Sequence, residues 1–158
     1  MARRGKTLVF AQDELDDLVD LPYGDSRTFA LLTLIFESVD TSKALHMDHI
    51  FPYSLFKRRR LIADGIPESK IDDTVEAANR LPNLQLLDGP INQEKLTTMP
   101  AKWLADREPN AGRREKYVYL HLLEGLPDSL SGFEQFYKQR RDVLAHRISD
   151  LLGVGQPS

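Results

Sequence analysis

Leu45-His46-Met47-Asp48-His49-Ile50-Phe51-Pro52, read with Asn83-Leu84-Gln85-Leu86-Leu87-Asp88-Gly89-Pro90-Ile91-Asn92-Gln93-Glu94-Lys95, decides how this chain is understood. The first stretch alternates up to Asp48, which predicts a strand over 44–48 with His46 and Asp48 on one face and Met47 and His49 on the other. Pro52 blocks any continuation of the ladder. A carboxylate and an imidazole thus stand side by side on one short element, the raw material of a metal-dependent hydrolase. The second stretch predicts a strand through Leu84, Leu86 and Leu87, a Gly89-Pro90 turn, and a new element opening near Asn92. Asn92 reads either as the cap of that element or as an oxygen ligand, and the ligand reading is preferred.

In this order the residues resemble the HNH (His-Me finger) endonucleases, and most of all the HNH domain at the C-terminal end of GmrSD-like modification-dependent restriction proteins. The likeness is carried by Asp48-His49-Ile50-Phe51-Pro52, Asn83-Leu84-Gln85-Leu86-Leu87, Asn92 and Lys95. It extends more loosely to the apolar helix Arg27–Phe36 and to Pro100-Ala101-Lys102-Trp103, and so spans roughly residues 25–105. Three fixed residue types at ~5% usage recur by chance about once in ten thousand positions. The ordered Asn, Asn and Lys that follow make coincidence harder still.

The resemblance implies an α+β, mostly helical domain over 1–158, built around a ββα-metal motif at about 44–97 with helical support from 10–39 and 99–152. It implies a divalent-metal-dependent DNA endonuclease or nickase, using Mg²⁺ or Mn²⁺, as the effector of a bacterial anti-phage restriction system. DNA would be one partner, and an N-terminal nucleotide-dependent sensing domain or subunit the other. The residue chemistry agrees. Neutral imidazole is a competent general base near pH 7, which suits His49. Asp48 and Asn92 offer the oxygens that a hard cation takes. Asn83 matches the middle Asn, with the implied role of tying the loop backbone. Lys95, one turn after Asn92, is placed to meet a phosphate oxygen. His46 shares the face of Asp48 and is preferred as an ordinary strand histidine over a ligand.

Composition bounds the rest. A length of 158 residues, 41% hydrophobic and 28% charged, suits one globular unit, and the absence of Cys excludes disulfides and Cys-ligated zinc. Neither a leader nor a membrane span is legible, so a cytoplasmic protein is expected. The net charge of −3 argues against holding nucleic acid by bulk electrostatics. Basic residues nevertheless cluster at Lys57, Arg58, Arg59 and Arg60, beside the Asp-His pair, and at Lys138, Arg140 and Arg141, positions from which phosphate is in reach. The alternatives are a nuclease acting on RNA and a catalytically silent nucleic-acid-binding or assembly module.

Periodicity predicts helices over 10–21, 27–39, 53–61, 68–79, 99–106 and 113–124. Ser131 and Glu134 form a capping-box pattern at the head of a last helix, with Phe133, Phe136, Tyr137, Leu144, Ile148 and Leu151 on one face and Gly153 as its stop.

Overall fold

The computed structural model describes residues 13–37, 39–40 and 42–153, the side chains of 92–94 excepted. The fold is α+β and mostly helical. In chain order come α1 (13–19), α2 (Ser26–Ile35), β1 (Leu45–His49), α3 (Arg58–Ala63), α4 (Ile71–Ala78), β2 (Leu84–Asp88), α5 (Gly89–Lys95), α6 (Pro100–Arg107), α7 (Ala111–Leu120) and α8 (Phe133–Leu152). Short 3-10 turns occupy Tyr53–Leu55, Glu68–Lys70, Leu81–Asn83 and Leu130–Gly132.

β1 and β2 pair antiparallel, with Met47 opposite Leu86, Asp48 opposite Gln85 and His49 opposite Leu84. Alternation sends Leu45 and Met47, with Leu84 and Leu86, into a core shared with Leu15 and Val19 of α1, Leu32 and Ile35 of α2, and Leu144 and Ile148 of α8. On the opposite face Leu87 packs against Trp103 and Leu104 of α6. A further cluster, including Ile50, Phe51, Phe56, Leu61, Ile71, Phe133 and Phe136, joins the long β1–β2 connection to α8. Each side chain of this size, once fully buried, contributes roughly 1.5–3 kcal/mol.

α5 follows β2 directly: Asp88 stands at the N-cap and Gly89-Pro90 form the first helical turn, where proline's missing amide costs nothing. Gly89-Pro90 is therefore the start of the helix and not a turn before it. Asn92 accordingly lies inside α5, which removes the reading of it as the cap.

Other sequence expectations are adjusted for physical reasons. α2 ends at Ile35 and buries a single stripe, Thr28, Leu31, Leu32 and Ile35, while Phe29 and Leu34 on its other side are exposed. The helix expected over 53–61 is split, because Phe56 turns inward and meets Phe133 edge-on at 4.9 Å; α3 starts only at Arg58. The capping box does not form. Ser131 Oγ pairs with Ser129 Oγ, Glu134 bridges Lys70 and Lys138, and Gly132 takes the cap position. That site demands glycine, since a Cβ there would lie 2.4 Å from Cβ of Pro127.

His121, just past the end of α7, is stacked on Tyr117 at 4.1 Å and faces Phe36 at 6.2 Å. Burial, helped by the nearby Arg140 charge, pushes its pKa down to about 4. The unfolded chain takes this proton near pH 6.5 and the folded chain resists it, so the contribution is complete above 6.5 and is lost as pH falls through about 4. The loss should reach roughly 3 kcal/mol. In a series of urea midpoints against pH, His121→Phe is expected to flatten this acid limb; an unchanged limb would assign it to other groups.

Among the described residues no helix is long and apolar enough to cross a membrane.

Candidate functional site

The site gathers at the end of β1. Asp48 belongs to the sheet face against which α5 packs. Its Oδ2 receives Nε2 of Gln85 at 3.0 Å and the ammonium of Lys95 at 3.1 Å. Oδ1 receives no donor among the described residues.

Lys95 is the last residue of α5 and only 1% exposed. Besides Asp48, its Nζ donates to the carbonyls of His49 at 2.6 Å and Ile50 at 2.7 Å, so all three ammonium hydrogens have acceptors. Burial holds its pKa below the usual lysine range, and the Asp48 charge offsets part of that. The expected phosphate contact is therefore corrected: the ammonium is turned inward, where it pins the chain leaving β1 to α5.

Asn83 is fully buried. Its Oδ1 accepts from the Phe51 amide at 3.0 Å, and its Nδ2 donates to the carbonyls of Phe51 at 3.1 Å and Ala78 at 2.8 Å. Its own carbonyl accepts from the Ile50 amide at 2.7 Å. The backbone after the Asp-His pair is thus tied from both sides, the role the sequence suggested for this residue.

His49 is held by residues that sequence reasoning missed. Its Nε2 lies 2.9 Å from Oδ1 of Asn79. An amide oxygen only accepts, so Nε2 carries the hydrogen and Nδ1 keeps a lone pair. The ring stacks on Tyr23 at 4.7 Å and leans on Tyr53 at 5.4 Å. Burial lowers its pKa, with the Asn79 hydrogen bond and the Asp48 charge pulling the other way; the imidazole is neutral at pH 7. Asn79 also accepts the Tyr23 amide on its carbonyl at 2.8 Å, beside an isolated bridge between Pro22 and Arg80. In the sequence Asn79 is only a helix end, and nothing marks Tyr23, because only the tertiary return of 21–23 alongside 79–81 brings both to the imidazole. Tyr53 thus lies against the His49 ring on the side of the 3-10 turn that follows β1.

The Asn92 backbone sits in α5 one turn before Lys95, and its side chain lies outside the described residues. His46 is exposed and rests over the start of α5, close enough that a Cβ at Gly89 would approach its Nε2 to 3.0 Å.

The basic run is exposed as expected. Lys57 precedes α3, and Arg58, Arg59 and Arg60 form its first turn with no acidic residue there. Arg58 faces Glu68 at 3.6 Å and Arg60 faces Asp64 at 3.2 Å, whereas Lys57 and Arg59 have no ion pair among the described residues. The other cluster is corrected: Lys138 pairs with Glu134 and Arg141 with Asp20, while Arg140 is buried.

No family model and no curated protein matches the chain.

The fit to a divalent cation follows from the donors and acceptors alone. Among the described residues no group of three or more His, Cys, Asp or Glu is placed to hold a metal ion. A cation here would rest on one carboxylate and on amide oxygens, keeping water or phosphate in its remaining positions, as Mg²⁺ commonly does. Asp48 Oδ1 and the buried Oε1 of Gln85, both oxygens without a described donor, suit such an ion. A groove of about 520 Å³, lined by Lys70, Thr74, Tyr137 and Arg141 among others, contains neither Asp48 nor His49. A polymeric substrate meets an open surface and needs no deep pocket.

Proposed function

We propose that this chain hydrolyses phosphodiester bonds of DNA with the help of a divalent cation, as an endonuclease or nickase of the HNH kind. One observation carries the reading. Consecutive residues of a single strand supply a carboxylate oxygen without a described donor and a neutral imidazole whose Nδ1 is an acceptor. Cation ligation and proton abstraction are the two tasks that this hydrolysis sets.

In this reading His49 Nδ1 takes the proton of the attacking water. Asn79 fixes the tautomer, and Tyr23 and Tyr53 fix the ring plane. Asn83 and Lys95 hold the backbone that presents it. Asp48 and Asn92 would hold Mg²⁺ or Mn²⁺, with Gln85 and Lys95 orienting the carboxylate through Oδ2. When bound, the cation neutralises charge on the scissile phosphate and on the departing sugar oxygen.

Lys57 and the arginines of α3 are the proposed DNA contacts. Positive side chains at the positive end of a helix destabilise it slightly, so their placement favours an anionic partner over local stability. Arg59→Gln is expected to leave the urea midpoint unchanged or a little higher. It should weaken DNA binding and reduce the salt slope of that binding by about 1. An unaltered salt slope would take Arg59 out of the interface.

With a net charge of −3, the chain holds DNA weakly by itself. Target choice would then fall to a partner, such as the N-terminal nucleotide-dependent sensing domain of a bacterial restriction system, with this chain as the effector.

The test is nicking of supercoiled plasmid in Mg²⁺ and in Mn²⁺, with EDTA as the control and RNA as a competing substrate. Wild type is expected to nick only with metal. His49→Ala should lose on the order of 10²-fold or more, and Asn92→Ala should lose activity as well. Undiminished nicking by His49→Ala would exclude the assignment. DNA or protein association without turnover in either metal would favour a silent binding module.

A further inference from the structure

Gln85 occupies the middle of β2, directly opposite Asp48 on the same face of the ladder, and is 2% exposed. One hydrogen of its Nε2 goes to Asp48 Oδ2 at 3.0 Å. Its Oε1 is buried and takes no hydrogen bond, the one side-chain atom so placed among the described residues. Turning the amide over would not cure this, because Oε1 would then face the Asp48 carboxylate, acceptor against acceptor. Lys95 offers no donor either, since its three hydrogens go to Asp48, His49 and Ile50. A buried amide oxygen left without a donor is costly, and Leu84, Leu86 and Leu87 show that this strand otherwise fills its buried positions with leucine. The polar residue at 85 therefore calls for a donor that the described residues do not supply.

Two acceptors without described donors, Asp48 Oδ1 and Gln85 Oε1, belong to directly paired residues on the face that α5 covers. A hydrated divalent cation answers both, because it is a charge for a carboxylate oxygen and a cluster of polarised O–H donors for an amide oxygen. We propose that Gln85 is a positioning residue of the cation site, its Nε2 fixing the Asp48 carboxylate with Oδ1 left for the ion and its Oε1 accepting a hydrogen bond from a water of the ion's hydration shell. The proposal rests on the reading of Asp48 as a cation ligand.

Mn²⁺ binding to the intact chain, measured without DNA by calorimetry and by the loss of the free-ion electron paramagnetic resonance signal, tests it. Wild type, Gln85→Leu and Asp48→Asn are compared, with urea midpoints taken in EDTA. Gln85→Leu is expected to weaken Mn²⁺ affinity about 10–100-fold, the usual effect of removing an orienting partner. Its midpoint in EDTA should stay level or rise, because an unsatisfied acceptor has been removed. A variant lacking both Gln85 and the Asp48 charge should bind no more weakly than Asp48→Asn alone. Mn²⁺ affinity of Gln85→Leu within about twofold of wild type overturns the role of Gln85 while leaving Asp48 as ligand. Wild type that binds no Mn²⁺ overturns the cation site itself, and the proposal with it. Should Gln85→Leu fail to fold, Gln85→Met keeps the stem without the amide and is judged by the same twofold limit.

Discussion

Lys95→Met is expected to remove at least about 4 kcal/mol of folding stability, a large share of the roughly 5–15 kcal/mol typical of a domain. The methionine keeps most of the stem's volume, so the loss is not one of packing. What disappears is the partner of three acceptors that are at least partly buried, Asp48 Oδ2 and the carbonyls of His49 and Ile50. The Asp48 carboxylate then keeps only Gln85, and an uncompensated buried charge is the expensive remainder of a broken pair. The urea midpoint should fall with little change in slope. Adding Asp48→Asn to Lys95→Met should recover more than 1 kcal/mol, since the two sites share one interaction. A midpoint shift equivalent to less than 1 kcal/mol in the single variant would mean that the ammonium is not the pin described. High salt should barely change the effect, because the pair is screened from solvent.

Arg140→Met is the second large effect, again at least about 4 kcal/mol. The guanidinium is 2% exposed and donates to four carbonyls: Pro82 and Leu84 at 2.9 Å, Leu122 at 3.1 Å and His121 at 3.2 Å. Its Cζ lies 5.6 Å from the Phe36 ring centroid. No carboxylate pairs with it among the described residues, so backbone dipoles carry the charge. Burial pushes its pKa down to about 9, which still leaves it protonated at pH 7. Methionine would leave those four oxygens without donors. Lysine, with three donors on one atom, should fall between wild type and methionine. Pro82 and Leu84 flank Asn83, so Arg140→Lys combined with Asn83→Ala should deviate from additivity. Strict additivity would show that Arg140 supports α8 and not the strand beneath the site.

Arg140 also marks where the sequence was legible and where it was not. The stripe of α8 was read as Phe133, Phe136, Tyr137, Leu144, Ile148 and Leu151, but the buried set is Phe133, Phe136, Arg140, Leu144 and Ile148. Position 140 lies four residues from both Phe136 and Leu144, so the helical period pointed to it; its charge led it to be assigned to solvent. Strands β1 and β2 were readable because alternation and an apolar run are local properties of the chain. Asn83 was readable through its place in a motif. Asn79 and Tyr23 were not, because their meeting with His49 depends on two distant segments lying alongside each other, and no local pattern encodes that. Lys95 was located, but its role was inverted: periodicity gives the face of a helix, whereas burial decides whether a cation on that face meets solvent or the protein.

The two strands that frame Asp48 are separated by residues 50–83, and the second is gripped by an arginine in the first half of the last helix. Closing so long a segment must precede the pairing that rewards it. A nascent chain still lacking α8 would have β1 and β2 both synthesised yet nothing to clamp the carbonyls of Pro82 and Leu84. The candidate site therefore matures late, after the ribosome has delivered the final helix. On the nuclease reading proposed above, a translation product interrupted before α8 would carry no cutting activity.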